Sequence, residues 1–495
     1  MTDEFDVAIV GYGPVGATLA NLLVQQGLRV AVLEREGDVY HLARAGHLDA
    51  EVMRVLQSIG IADGFEPDTG QTKAMRFVNG DGKLLMEWKR GGERGPNGWV
   101  SDYMFYQPTL EGHMRKRLAG APGFKQFLMH DVYEIESGAD GVTVRAEDVV
   151  SNELVSLRAR YVVGCDGARS LVRRLIGATH EDLGFKQRWL VVNVNTHTDV
   201  GFEPVSTQIC DPARPAYAGA SGQRLRWEFM VHDGESSREM LRHENIWNLI
   251  ENSVRPIKRD QGEIIRSAVY TFESLIAKRW RAGRLLIAGD AAHRMPPFLG
   301  QGMCAGVRDA SNLAWKLAAV LQGRADEALL DTYESERAPH VTAFTRGAIE
   351  AGKFVQMSDP TEIAARMKDM QDNPKSFAPP NPHLGPGLSE VNGNNGTGRQ
   401  FVQPVVNGQR LDDLVGHHFA LVARAGFLTG AASPAALARQ WPGLKVVELS
   451  PDQAALLDPY AAAAVILRPD RYVHASVADS ASLEQALAKL GGLLL

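Results

Sequence analysis

Cysteine is scarce. Cys165, Cys210 and Cys304 are the three in 495 residues, they stand far apart, and none belongs to a CxxC pair. That excludes a disulfide-stapled scaffold and a dithiol redox centre, and it fits a reducing cytoplasm. Missing too is any apolar run near the roughly 20 residues that a bilayer-spanning helix needs, so no membrane contact is expected. The first residues, Met1-Thr2-Asp3-Glu4, are acidic and lead straight into an apolar segment, so no secretory signal is expected there. Neither sign of charge dominates. Lys and Arg number 53 against 59 Asp and Glu, a net charge of −6 with the signs interspersed, and no basic stripe invites nucleic acid. No His, Cys, Asp and Glu grouping has metal-ligand spacing. His417 and His418 are adjacent, and adjacent side chains diverge on helix and strand alike, so no metal is expected. No internal repeat is found.

Glycine is what the chain does have, in two motifs near opposite ends of its first 300 residues. Gly11-Tyr12-Gly13-Pro14-Val15-Gly16 follows Phe5–Val10, an apolar run that reads as a buried strand. Residues 17–26 have helical spacing, and 29–33 read as a second strand ending at Glu34. Strand, glycine turn, helix, strand and acid form a dinucleotide fingerprint. The glycines permit a tight turn and bring the backbone close to a pyrophosphate at the helix N-terminus. Glu34 comes 18 residues after Gly16, where a carboxylate can accept from a ribose. The plainer alternative, a βαβ unit with a glycine turn, leaves the position of that acid unexplained.

The second motif is Gly289-Asp290-Ala291-Ala292-His293, with Pro296-Pro297-Phe298-Leu299-Gly300-Gln301-Gly302 just beyond it. The buried strand 285–288, read as a central strand of a parallel sheet, delivers Asp290 to its carboxyl end, where it can meet ligand hydroxyls such as a ribityl chain. Pro296 and Pro297 stiffen the chain, and Gly300 and Gly302 bring bare backbone near something flat. A helix from about Met303 adds N-terminal amides that favour an anion by about 0.3–1 kcal/mol. Between the two motifs lies Gly164-Cys165-Asp166-Gly167-Ala168-Arg169-Ser170, read either as a third cofactor turn or as a strand-ending Asp-Gly turn. Together the motifs point to FAD, bound non-covalently in one extended groove.

The periodicity divides the chain into five spans: 1–185, the first part of an FAD-binding domain; 186–275, an inserted β-sheet for substrate; 276–371, the second part with helices; 372–399, a Pro-, Gly- and Asn-rich linker; and 400–495, a last α/β unit. One face of the inserted sheet is expected to line the substrate pocket near Tyr217 and Trp227, with the other face in solvent.

These stretches resemble the group A flavoprotein aromatic hydroxylases, single-component FAD monooxygenases, over essentially the whole chain. GxGxxG, DGxxS and GD-A-A-H occur in that family's order. Arg44-Ala45, Leu48 to Val52, Cys210 to Pro215, Arg226 to Met230, Pro296 to Gly306, Arg308-Asp309-Ala310 and Asn312 to Leu317 look like the 3-(3-hydroxyphenyl)propionate hydroxylase branch. The resemblance implies an α/β fold with a Rossmann-like FAD-binding domain of the GR2 type and a thioredoxin-like last domain without CxxC. It implies NADH or NADPH as reductant, O2, a flavin C4a-hydroperoxide and a small phenolic or related aromatic substrate. The expected cofactor residues are Gly11, Gly13, Pro14, Val15, Gly16, Glu34, Arg35, Arg44, Gln107, Val132, Asp166, Gly289, Asp290, Pro297, Gly300, Gly302 and Met303. Tyr217, Arg214 and Pro297 are the expected catalytic set, with Tyr103 and His47 as further candidates for proton handling, and His293 is read as a packing residue. The last unit is expected to serve assembly, open to homo-oligomerisation, rather than chemistry. Two residues depart from the branch: Ala50 where a second acid follows Asp49, and Asn193 where an acid is common.

Other readings stay open at this stage. One is an FAD oxygenase or epoxidase acting on a polyketide or N-heteroaromatic compound, and another is a flavin-bound sensor. No Trp-x-Trp-x-Ile-Pro segment supports a halogenase, and a plain NAD dehydrogenase has no use for the Gly289-Asp290 site.

Overall fold

The computed structural model describes residues 4–40, 44–90, 92–221, 224–357, 359–373, 380–391 and 396–495. Residues 374–379 and 392–395 of the expected linker lie outside the described residues.

The apolar runs flanking the glycine turns become the centre of the first sheet. Glu4–Val10 has parallel neighbours on both sides, Val30–Glu34 and Leu154–Gly164. Phe124–Leu128 and Leu285–Ile287 extend the parallel set outward, and Arg281–Ala282 closes one edge antiparallel. Val7, Ala8 and Ile9 are fully buried, as befits a strand covered on both faces. Leu285–Ile287 therefore sits one strand from the edge rather than at the centre. Because the first strand is the point from which the order runs both ways, its carboxyl end opens on a crevice.

The second sheet is also eight-stranded. Its order is His293–Arg294, Gly262–Ala277, His180–Thr196, Arg224–Met230, Ala216–Ser221, Ser206–Cys210, Ala74–Asn79 and Leu84–Lys89. It is wider than the expected 186–275 insert, because Ala74–Asn79 pairs in parallel with Ser206–Cys210. Its far face does not meet solvent. Leu190, Val192, Leu225, Trp227 and Phe229 pack there against Ile246, Trp247 and Ile250 of the helix His243–Glu251. Period-2 alternation then sends Asn193, Arg226, Glu228 and Tyr217 to the near face, toward the first sheet.

Residues 400–495 carry a four-stranded sheet ordered Leu444–Leu449, Phe419–Arg424, Ala464–Leu467, Val473–Val477. The first pair is parallel and the next two are antiparallel. The helix Pro434–Gln440 joins the parallel pair, and Ser480–Leu490 comes after the last strand.

Candidate active site

Gly11 has φ +100°, and a Cβ there would lie 2.5 Å from the Cys165 carbonyl oxygen. A Cβ on Gly16 would lie 2.1 Å from the Gly11 carbonyl oxygen. These two glycines exist for close packing. Gly13 is different: a Cβ there would meet nothing, and it caps the helix Pro14–Gln25, whose N-terminal amides no capping side chain occupies. That open, partly positive end suits a pyrophosphate. Glu34 accepts from the Tyr12 amide at 2.7 Å and from the Glu36 amide at 3.1 Å, which ties the acid to the turn. Arg115, not anticipated from the sequence, lies over the Tyr12 ring at 4.3 Å, with Nε and Nη1 buried and without partners. Gly16→Ala is expected to be destabilising by overpacking, by about 1–3 kcal/mol, and to lose FAD. Thermal melts and flavin release measure both, and an unchanged melting temperature refutes the packing role.

At the second motif, Gly289 has φ +62° and its amide donates to Asp309 at 3.1 Å. Asp309 also accepts from His293 Nε2 at 2.6 Å and Arg337 Nε at 2.9 Å. Burial raises the Asp309 carboxyl, but these two partners more than offset it and hold it below its ordinary range. His293 is thus a packing and hydrogen-bonding residue. Asp290 next to it is exposed, and among the described residues no hydrogen bond or ion pair engages its carboxylate. It is free to receive ribityl hydroxyls. The turn Pro297–Leu299 then leads through Gly300 to the helix Gly302–Leu321, with Met303 in its first turn. Gly300 has φ +66°, and a Cβ would strike the His47 ring at 2.8 Å.

Asp166 accepts from the Leu171 amide at 2.6 Å and the Val172 amide at 3.3 Å, so it starts the short helix Leu171–Ile176. Its Oδ1 is buried without a partner, and burial pushes its carboxyl up. Gln107 accepts from the Arg44 and Ala45 amides at 2.9 and 2.8 Å and donates to Glu111 at 2.8 Å, shaping the 44–45 backbone. Arg44 itself is exposed over the Tyr40 ring, Arg35 is exposed beside Glu36, and Val132 is buried in the strand His130–Gly138.

Where the Gly300 turn meets the near face of the second sheet, polar groups converge. His47 Nε2 lies 2.7 Å from Asp102 Oδ1, and Arg90 also pairs with Asp102. His47 Nδ1 is 3.3 Å from the Gly300 carbonyl oxygen. The shorter contact favours the proton on Nε2, donated to Asp102, with Arg90 Nη1 3.2 Å from the same nitrogen; Nδ1 then faces the Gly300 carbonyl without a hydrogen bond to it. Burial, then the Arg90 guanidinium, pushes His47 down to about 4. Arg90 interacts electrostatically with Tyr217, whose hydroxyl is 3.4 Å from Ser206 Oγ and whose pKa burial raises. Opposite Tyr217 in register is Gln208, whose Nε2 donates to the Phe298 carbonyl at 3.5 Å and whose Oε1 is buried without a partner. Toward one end of this face Arg266, Asn193 and Arg226 stand in one row across three strands. With Ala45, Gly46 and Tyr106 they line a small pocket that opens to solvent.

Three expected residues are not brought to this place. Arg214 is spent on Glu235, at 2.6 Å, and on the Met230 carbonyl, at 2.7 Å; that pairing holds Glu235 down at about 2. Trp227 lies on the far face and donates to the Arg255 carbonyl. Tyr103 donates to Glu66 at 2.7 Å within the first domain's core. Arg90, Asp102 and Gln208 were missed, since each is unremarkable in sequence and meaningful only through its distant partner. The acid absent at Ala50 is supplied next door: Arg308 pairs with both Asp49, at 2.6 Å, and Glu51, at 2.5 Å.

The open helix N-terminus at Gly13, the uncommitted Asp290, the orphaned Asp166 Oδ1 and the unpartnered Arg115 donors fit a long, hydroxyl-rich diphosphate such as FAD. A family model described as FAD binding domain matches residues 4–348. The chain is 41% identical over 386 residues to a probable NADH-specific resorcinol 4-hydroxylase of Rhodococcus jostii (strain RHA1), covering 78% of this chain and 72% of that one. It is 31% identical to a 3-(3-hydroxy-phenyl)propionate/3-hydroxycinnamic acid hydroxylase of Escherichia coli O81 (strain ED1a), covering 99% and 94%. In fold it is similar to the flavin-dependent monooxygenase PieE, solved in complex with FAD and substrate, with a TM-score of 0.83, 19% identity and 99% of each chain covered. By its motifs, its site and this match over most of its length, the chain belongs to the FAD binding domain family of the group A flavoprotein aromatic hydroxylases.

Proposed function

We propose that this protein is an FAD-dependent monooxygenase that hydroxylates a small phenol with NADH and O2, in the cytoplasm. The observation that carries the reading is the meeting of His47 and Gln208 with the Pro297–Gly302 turn, with Asp102 and Arg90 paired behind His47 and Tyr217 beside Gln208 in register. When bound, FAD supplies the redox chemistry that splits O2 and delivers one oxygen atom. Gly13, Glu34, Asp290 and the 300–303 segment would hold it.

The protein's own residues have three tasks. Phe298 and Leu299, buried against Trp189 and Ile349, close the site to water. His47 Nδ1 takes the proton of the phenol, and Asp102 stabilises the imidazolium that results. His47 is neutral at physiological pH, so its lone pair is open to the phenol, and its low basicity means that the proton must pass onward rather than rest on the ring. Gln208 Oε1 is a buried acceptor, and leaving it unpaired costs about 1–3 kcal/mol, so it favours a substrate carrying a second hydroxyl. A 1,3-dihydroxybenzene meets both demands, in line with the resorcinol-named relative. For the last unit, the strand order with one parallel and two antiparallel pairs supports a thioredoxin-like fold, and with no cysteine past residue 304 it can do no dithiol chemistry.

The test is NADH oxidation by the FAD-loaded enzyme with and without resorcinol or 3-(3-hydroxyphenyl)propionate, with products analysed under labelled O2. Stimulated oxidation with one labelled oxygen in the product is expected. Oxidation indifferent to any phenol, with no labelled product, overturns the proposal.

A further inference from the structure

We infer that the last unit shapes the 300–302 turn of the flavin site through a single side chain, Tyr472, acting by way of Glu51 and Arg308. The inference rests on the hydroxylase reading and gives the last unit a positioning role in the reaction, beyond assembly.

The contacts run without a break. The Tyr472 hydroxyl donates to Glu51 Oε1 at 2.6 Å. The other Glu51 oxygen accepts from Arg308 Nε at 2.5 Å. Arg308 Nη2 donates to Asp49 Oδ2 at 2.6 Å, and Nη1 donates to Gln301 Oε1 at 3.0 Å. Gln301 Nε2 returns to Asp49 Oδ2 at 3.1 Å. Gln301 is the residue between Gly300 and Gly302, and Asp49 lies on the strand His47–Asp49 two residues from the proposed base. Tyr472 and Arg308 are each 5% exposed, and the two carboxylates between them are half-buried.

The geometry leaves little slack. Each edge of the Arg308 guanidinium has one partner, which fixes the plane of the group. Two carboxylates share its single charge, and the second oxygen of Glu51 needs a donor of its own. Tyr472 is that donor. Burial, then Glu51, raises its pKa well above the ordinary value, so the hydroxyl stays protonated. Without it, the second oxygen of half-buried Glu51 has no protein donor. The carboxylate then turns onto a second Arg308 N–H, in competition with Asp49 and Gln301, and the turn loses its anchor. The last unit is itself clamped nearby: Arg471 and Arg54 both pair with buried Asp412, and Arg468 pairs with Glu336 of the helix Asp331–Val355. Tyr472 therefore has a fixed base to act from.

The test compares full-length, FAD-loaded wild type with Tyr472→Phe, Glu51→Gln and the double variant. Val447→Ala, in the last unit's own core, is the control for plain destabilisation. Hydrogen exchange is read in residues 298–306, and coupling as hydroxylated product per NADH oxidised. Tyr472→Phe is expected to speed exchange in that segment at least about fivefold and to lower coupling several-fold, as loss of one charge-assisted bond implies. Glu51→Gln should do the same, and the double variant should be no worse than either, because they cut one chain. Should Tyr472→Phe fail to accumulate, Glu51→Gln asks the same question with volume unchanged. Wild-type exchange in Tyr472→Phe, an equal effect from Val447→Ala, or additive losses in the double variant each overturn the inference. If wild type itself shows no phenol-stimulated NADH oxidation, the hydroxylase reading fails while the exchange result still decides the contact.

Discussion

Replacing His47 with glutamine is expected to lower kcat about 10²- to 10⁴-fold, the range a positioned general base contributes. The substitution is chosen for its shape. The glutamine amide can occupy the place of Nε2 and keep the donor to Asp102, at 2.7 Å in the native ring, while Nδ1 is removed. FAD content should not change, since the His47 side chain meets the 300–302 turn by packing on Gly300 and by a 3.3 Å contact to its carbonyl, both of which a glutamine can fill. Asp102→Asn should lose less, because it leaves the base in place, removing the charge that stabilises the imidazolium and the ion partner of Arg90. A second readout separates the base from a packing role. A substrate whose phenol is already ionised should restore most of the rate to His47→Gln. If the variant hydroxylates its phenol within about threefold of wild type, well short of that range, the proton leaves by another route and Tyr217 becomes the candidate.

How much of the molecule is legible in its sequence depends on whether a signal is local. Gly11, Gly13 and Gly16 stand in one turn, and their spacing alone foretells the crevice. Gly289 and Asp290 are legible for the same reason. The hairpin over 130–148 is visible because its two strands alternate across a Gly-Ala-Asp-Gly turn. The second sheet is half legible. Its strands Arg224–Met230 and Gly262–Ala277 alternate clearly, but Ser206–Cys210 and Ala216–Ser221 are short and lie beside prolines, and the second is rich in Ala and Gly, so neither stands out. Pairing of Ala74–Asn79 with Ser206–Cys210 joins segments some 130 residues apart, and no pattern within either one announces it. Alternation in Arg226-Trp227-Glu228 does say that Trp227 faces away from Arg226. What it could not say is which face the helix His243–Glu251 covers. The site is hardest of all. His47 stands out as a residue type, but its function depends on Asp102 and Arg90, and Arg214 has the look of an anchor until Glu235 is seen to hold it.

Acidification should unfold the protein well before Asp49, Asp309 and Asp412 protonate. Burial pushes His47, His417 and His474 each down to about 4, and it pushes His340 well below the ordinary value. Positive neighbours add to burial at each site: Arg90 at His47, Arg471 and His418 at His417, Arg468 and Lys489 at His474, and Arg337 at His340. Their nearby acids, Asp49 and Asp102 at His47 and Glu336 and Glu390 at His474, oppose the shift, and Asp102 is itself shared with Arg90. In the unfolded chain these rings take up protons as pH falls below about 6.5, while in the folded protein they stay neutral until about pH 4. Stability is therefore full above pH 6.5, falls through that window, and stops falling on their account below it. A depression of about 2.5 units corresponds to about 3 kcal/mol for each of the three rings. Even at half that value they remove about 5 kcal/mol together, comparable with the whole 5–15 kcal/mol stability of a typical protein. Asp49, Asp309 and Asp412 do not blur the window, because their carboxyls are held below the ordinary range and charge loss there comes later. Urea unfolding at pH 7.5, 6.5, 5.5 and 4.5 should show the midpoint dropping steeply only below 6.5. His417→Gln, which can keep the contact to Gln25 made at 3.1 Å, should flatten about a third of that slope if the three rings share it equally. A midpoint constant from pH 7.5 to 4.5, or a variant with an unaltered slope, would show that these rings are hydrated enough to charge in place.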